Sequence, residues 1–110
     1  DKLELLLKKN PDSYIVADEA YWEFNEQNYI SLLQSYSNLM LVRTFSKAMG
    51  SAGMRLSYVI ASETFCQQLQ KVTLPFLVNK FSMVACEAAL KSKTFLSKMR
   101  ENVAFMKSEG

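Results

Sequence analysis

The stretch Thr44-Phe45-Ser46-Lys47-Ala48-Met49-Gly50-Ser51-Ala52-Gly53-Met54-Arg55 decides how this chain is read. A Ser46-Lys47 pair leads into two separated glycines, and Arg55 follows eight positions after the lysine. A short apolar run, Leu39-Met40-Leu41-Val42, precedes it with the length of a strand. Lys47 therefore sits just past a strand end, in a turn of small residues. An α/β protein places its chemistry there, at the carboxyl ends of its strands. A lysine in that position is either a solvated surface charge or a reactive amine. Gly50 and Gly53 favour the amine, because they let backbone and ligand come close. Arg55 favours it too, because a planar guanidinium suits an oxyanion such as phosphate.

On either side the pattern is that of a layered protein. Leu56-Ser57-Tyr58-Val59-Ile60-Ala61 reads as a further strand. The link before it is too short for a parallel crossover, so that strand is expected to run antiparallel to residues 39–43. Upstream, Tyr14-Ile15-Val16-Ala17 is a continuous apolar run and reads as a buried strand, ending abruptly in Asp18-Glu19. Leu3, Leu6 and Leu7 predict a helix over residues 1–9, closed by Asn10-Pro11-Asp12. Residues 21–30 read as loop, and 31–36 as a short helix capped by Ser31. Downstream, Ser62 looks like an N-cap, with Glu63 suited to the helix dipole. Phe65, Leu69 and Val72 then form one apolar face before Pro75 stops the helix. A third helix is predicted over 81–90. A fourth starts near Thr94, with Leu96, Met99, Val103 and Met106 as a packing stripe. The alternation of helices and strands argues for an α/β fold.

Composition narrows the function classes. The 110 residues are 49% hydrophobic and carry a net charge of +2, with acids and bases mixed. That length suits about one domain, and the charge makes no case for nucleic acid. No run reaches the length of a membrane span and no signal-peptide pattern opens the chain. Cys66 and Cys86 lie in helical stretches and read as buried free thiols of a reducing compartment. Histidine is absent, which removes His-based triads and most zinc sites. The chain opens on Asp1 and stops in mid-pattern at Lys107-Ser108-Glu109-Gly110, so a piece of a longer protein is expected.

The remaining polar groups sort by chemistry. Asp18 is either a turn aspartate or a carboxylate at the mouth of the sheet, able to keep a cationic ring nitrogen protonated. Tyr21 is either a half-buried aromatic or a phenol bonding a ligand oxygen. Glu19 is expected to face solvent or cap a turn, and Trp22, Phe24 and Tyr29 to pack. Ser46 and Lys47 do not read as a hydrolytic dyad, since adjacent side chains point apart. They also miss the P-loop pattern of glycine before and hydroxyl after the lysine. What remains is an amine that forms an imine with a carbonyl, its pKa lowered by desolvation or by the nearby Arg55. Ser46 and Arg55 together suit a phosphate. Lysine, carboxylate, phenol and phosphate grip are the set that pyridoxal phosphate demands.

The spacing of these residues carries a family resemblance. DEAYWEF at 18–24, TFSKAMGSAGMRLSY at 44–58 and LPFLVN at 74–79 resemble the fold-type I PLP-dependent aminotransferases, and among them the histidinol-phosphate aminotransferase group. The group's pattern is close to DEAYxEF, then TFSKAFGLAGxRxGY, then a Pro-Phe/Tyr-x-x-N segment. The similarity spans nearly the whole chain. It implies that Lys47 is the catalytic, cofactor-bound lysine and later a proton shuttle. It implies that Asp18 pairs with the pyridinium nitrogen and that Tyr21 bonds the cofactor's phenolic oxygen. Ser46 and Arg55 would bind the phosphate, with Thr44 a weaker candidate, and Asn79 receives no role. Ser51 stands where the family often has leucine. Ser57 stands where it usually has glycine, putting a bulkier group on a close-packed strand.

The resemblance implies a three-layer α/β/α fragment of the PLP-dependent transferase large domain, of the aspartate aminotransferase type. Its sheet would be mostly parallel with one antiparallel strand, three strands of seven. Residues 1–110 would be part of that domain, without the N-terminal half and the small C-terminal domain. The implied function is the central part of a cytoplasmic, homodimeric aminotransferase of histidine biosynthesis, moving an amino group between L-histidinol phosphate and 2-oxoglutarate. Its partners would be a small amino donor and a 2-oxo acid, with neither nucleic acid nor membrane. The fragment itself is expected to be inactive and, with an open first strand and uncovered helix faces, to self-associate. Two alternatives stand beside this reading: a PLP-dependent phosphothreonine decarboxylase of the same fold, and a packing or oligomerisation fragment with no catalysis.

Overall fold

A computed structural model describes residues 2–25 and 27–109. Helix α1 (Lys2–Lys9) leads to strand β1 (Ile15–Asp18), and β2 (Leu39–Thr44) and β3 (Ser57–Ala61) complete the sheet. Helices α2 (Glu63–Val72), α3 (Lys80–Lys91) and α4 (Lys93–Glu109) follow. Position 1 of the expected first helix lies outside the described residues. The strand order is β1-β2-β3. β1 runs parallel to β2, with Ile15 opposite Leu39 and Asp18 opposite Val42. β2 runs antiparallel to β3, with Met40 opposite Ala61 and Thr44 opposite Ser57. The short link between β2 and β3 thus produces the predicted reversal.

Strand alternation sorts the side chains between two faces. Leu39 and Leu41 meet Leu7 of α1 in the buried core, joined by Ile15, Ala17, Leu32, Leu33, Tyr36 and Ile60. On the opposite face α2 covers the sheet in part, with Phe65 edge-on to Tyr14 at 4.7 Å between ring centres. Helices on both faces make the three layers. The end of α1 is tied to the start of β2 by Asn38, whose Nδ2 donates to Asn10 O at 2.9 Å and Ser13 O at 3.2 Å.

Four expectations change. The first strand is not buried on both sides: Tyr14 and Val16 are 60% and 56% exposed. β1 is an edge strand, and no described element covers the part of its outer face around Val16. The segment 31–36 forms a 3-10 helix at Ile30–Gln34, and Ser31 lies inside it rather than capping it. Tyr29 takes the cap position without a side-chain bond, and Asn28 Oδ1 before it accepts from Ile30 N at 3.0 Å in an Asx turn. Within the expected loop, Trp22–Phe24 form a 3-10 turn. Finally, Met106 on the packing stripe of α4 is 59% exposed, while Val103 is buried.

Other local readings hold. The Ser62 hydroxyl accepts from Phe65 N at 3.4 Å, capping α2. Cys66 and Cys86 are free thiols, Cys86 buried as expected and Cys66 only half-buried. Between α2 and α3 the chain turns through Phe76, which has φ 62° and is fully exposed.

Candidate functional site

Parallel β1 and β2 end at the same edge of the sheet, and antiparallel β3 begins there. This topology gathers the sequence-predicted residues. Asp18 closes β1, Thr44 closes β2, and Ser46 and Lys47 follow it after Phe45. Continuing the β2–β3 register two places beyond the Thr44–Ser57 pair sets Ser46 opposite Arg55, and the Phe45 N to Leu56 O bond of 3.2 Å supports that placement.

Lys47 and Tyr21 come together from different elements. The Lys47 amine stands 5.0 Å from the centre of the Tyr21 ring, a cation–π contact. Both side chains are exposed. Asp18 is also exposed; its Oδ1 accepts from Ala20 N at 2.9 Å, which fixes the carboxylate in an Asx turn. Its other oxygen has no partner among the described residues.

The lysine turn is held by its own backbone. Gly50 N donates to Lys47 O at 2.9 Å and Ser51 N to Phe45 O at 3.1 Å. Gly50 has φ 61°, a conformation glycine adopts without penalty. Arg55 has φ 50°, which costs an L-residue roughly 1 kcal/mol. Its Nη1 donates to Ala52 O at 3.2 Å, within its own turn and not onto Lys47. Thr44 Oγ1 accepts from Ser46 N at 3.1 Å and from Ser57 Oγ at 3.1 Å, and donates to Leu56 O. Ser57 is exposed, so its side chain is not crowding a close-packed strand; it braces Thr44 instead.

The six residues share an edge rather than one enclosed cavity. A depression of about 460 Å³ takes Asp18, Tyr21, Trp22, Phe24 and Tyr29 among its walls, but neither Lys47, Ser46 nor Arg55. A larger, mainly apolar cavity of about 680 Å³ lies between the sheet and α3–α4, and of the six it reaches only Thr44. On its wall, burial pushes the Glu23 carboxyl above its ordinary range, opposed by the Arg43 cation. Trp22 Nε1 and Glu23 Oε2 are buried there without a partner among the described residues.

Two residues escaped the sequence reading. Glu19 is neither solvated nor a cap: it is 7% exposed and paired with Arg43, itself 3% exposed. Arg43 Nε donates to Glu19 Oε2 at 2.7 Å and Nη2 to Asn28 Oδ1 at 3.2 Å. The guanidinium carbon lies 4.1 Å from the centre of the Trp22 ring. Asn79 carries a local role, accepting from Phe81 N at 2.8 Å to cap α3. Among the described residues no cluster of acids and cysteines is arranged to hold a metal, and no helix is long and apolar enough to cross a membrane.

Comparison with known proteins matches residues 1–109 to the family described as aminotransferase class I and II. A histidinol-phosphate aminotransferase of Thermotoga neapolitana is 38% identical over 109 residues, covering 99% of this chain and 31% of that protein. Histidinol-phosphate aminotransferase 1 of Carboxydothermus hydrogenoformans is 44% identical over 94 residues, covering 84% of this chain and 27% of that protein. Among solved structures, an L-threonine-O-3-phosphate decarboxylase from Porphyromonas gingivalis superposes with a TM-score of 0.71 at 28% identity, covering 81% of this chain and 28% of that one. A histidinol-phosphate aminotransferase from Clostridium acetobutylicum shares the fold with a TM-score of 0.77 at 23% identity, over 90% of this chain and 31% of that one. The chain spans between a quarter and a third of the length of these relatives. With the motif residues gathered at one sheet edge and the family matched along the chain, the protein belongs to the class I and II aminotransferases.

Proposed function

We propose that this chain is the central part of the large domain of a pyridoxal-phosphate-dependent aminotransferase. The reaction is amino transfer between L-histidinol phosphate and 2-oxoglutarate, a step of histidine biosynthesis. The observation that carries the reading is the Lys47 amine against the Tyr21 ring, beside Asp18, at the carboxyl edge of the sheet. Enzymes of this family use pyridoxal phosphate in general. When bound, the cofactor supplies a reactive carbonyl carbon and a ring that accepts electron density from the substrate α-carbon.

The residues present fit that group. Asp18 is exposed at the strand mouth with one oxygen already fixed, and serves to hold the proton of a pyridine nitrogen. Tyr21 offers its hydroxyl to the ring oxygen. Ser46 and Arg55 offer a hydroxyl and a guanidinium to the phosphate, which a planar fork grips in two places, while Thr44, its hydroxyl already bonded to Ser46 N, Ser57 and Leu56 O, braces the turn. Lys47 would hold the cofactor through its amine and would move a proton at the substrate α-carbon.

Physical dimensions support reading the chain as part of a larger domain. Its accessible surface is 8228 Å², against about 6200 Å² for a compact monomer of this mass. Its radius of gyration is 15.8 Å, against about 13 Å for a compact chain of this length. In this reading the cytoplasmic parent is a homodimer and the 110 residues alone are inactive. A second reading, a decarboxylase of a phosphorylated amino acid, draws on the Porphyromonas gingivalis likeness.

The test is a pyridoxal phosphate titration of the full-length parent and of the 110-residue chain, followed by borohydride reduction and peptide mapping. Label on Lys47, abolished by Lys47→Ala, is the expected result for the parent. Scattered labelling of surface lysines in the parent overturns the cofactor assignment. Release of carbon dioxide from threonine phosphate, without amino transfer from histidinol phosphate, selects the second reading.

A further inference from the structure

We propose that the buried Glu19–Arg43 pair is a positioning device that holds the Tyr21 arm of the site against the Lys47 arm. The inference rests on the cofactor reading for its purpose, but its geometry stands independently. Tyr21 is 58% exposed, so burial does not fix it. It rides on the excursion between β1 and the 3-10 helix at Ile30–Gln34, and four attachments of that excursion converge on two side chains. Glu19 Oε2 accepts from Arg43, and Glu19 Oε1 accepts from Tyr29 N at 3.4 Å. Arg43 also holds Asn28 and lies over Trp22, the residue next to Tyr21. Arg43 is a β2 residue, one position before Thr44 and four before Lys47. One guanidinium thus joins the two chain segments that carry the site.

The chemistry argues for positioning over simple cohesion. Apolar residues of similar volume replace buried ion pairs with little loss of stability. What they do not reproduce is direction: a guanidinium fork fixes its partners in a plane and at set distances. The alternation of strand side chains completes the device. Asp18 points to one face and Glu19 to the other, so the pair anchors from beneath the residue that faces the ligand.

The experiment compares the full-length protein with a double variant, Glu19→Leu with Arg43→Met, in which neither charge is left unpaired. The first readout is hydrogen–deuterium exchange of the cofactor-free protein over residues 18–25 and 39–44. The second is the dissociation constant of pyridoxal phosphate, with the pH titration of the lysine-bound chromophore. Exchange over 18–25 is expected to speed up by about tenfold while 39–44 stays protected, and cofactor affinity to fall by about tenfold, the scale on which supporting residues act in metal sites. Exchange over 18–25 unchanged within about twofold overturns the proposal. If the double variant does not fold, Arg43→Lys decides on the same readout: it keeps a cation beside Glu19 and loses the fork that reaches Asn28. Loosened exchange over 18–25 then supports the proposal, and unchanged exchange overturns it. A wild-type protein that takes up no pyridoxal phosphate on Lys47 refutes the cofactor reading instead, and the exchange readout still decides the positioning role.

Discussion

Leu7, Leu39 and Leu41 in the sheet half of the chain are at most 1% exposed, whereas Val72, Leu74, Phe76, Leu77 and Phe81 around the α2–α3 connection are 66–100% exposed. The two regions have similar apolar content and opposite fates. The first closes a small core among α1, β1, β2 and the 3-10 helix. The second presents these apolar residues outward. Stability and coverage are separate matters here. The sheet half supplies the cohesion, and the α2–α3 connection leaves its apolar side chains exposed.

The comparison can be broken at its strongest point first. Glu19→Gln or Arg43→Met alone leaves a buried charge without its partner and is expected to cost about 3–5 kcal/mol in chemical denaturation. A loss under about 1 kcal/mol would mean the pair is solvated and the sheet half looser than described. Leu41→Ala comes next, with an expected loss of about 2–5 kcal/mol, while Leu74→Ala at the exposed connection stays within about 0.5 kcal/mol. Equal losses at both positions would erase the distinction. Ser62→Ala removes the cap of α2, at the junction of the two regions, for about 1 kcal/mol.

The smallest effects sharpen the comparison. Glu23 sits between the regions, and burial raises its pKa in the folded state. The folded chain then binds the proton more tightly than the unfolded one, so this contribution is present at low pH and is lost as pH rises above about 4.5. Glu23→Gln is expected to flatten that part of a stability–pH profile, and an unchanged slope would count against it. Phe76→Ser leaves stability nearly unchanged but lowers the self-association of the 110-residue chain in sedimentation. A wild-type chain that sediments as a monodisperse monomer would show that the exposed helical half needs no cover.

Much of the site was legible because strand ends are legible. Apolar runs of strand length end at Ala17, just before Asp18, and at Val42, two residues before Thr44, and the short link to Ser57 forces the reversal that returns Arg55 to the same edge. Those facts alone set the candidate residues side by side. Glu19 escapes the pattern because the apolar run ends at Ala17 while the strand runs on to Asp18. Extended by one residue, alternation would have sent Asp18 and Glu19 to opposite faces and put Glu19 on the side of Arg43. Tyr14 and Val16 misled for a different reason. A continuous apolar run implies two covered faces, but β1 has one strand neighbour and a face only partly covered by this chain. Ser31 does not cap because the helix starts one residue earlier, at Ile30, where Asn28 closes an Asx turn, and no periodic pattern signals that start.

Phe76 combines full exposure with a left-handed backbone, a conformation that bulky residues occupy only at a cost. Together with Leu74 and Leu77 it makes the α2–α3 connection a ready substrate for a chymotrypsin-like protease. Cleavage there would split the chain cleanly between the sheet and the last two helices. The rate of that single cut is therefore a natural clock for occupancy: fast while the connection is bare, slow once another surface shields it.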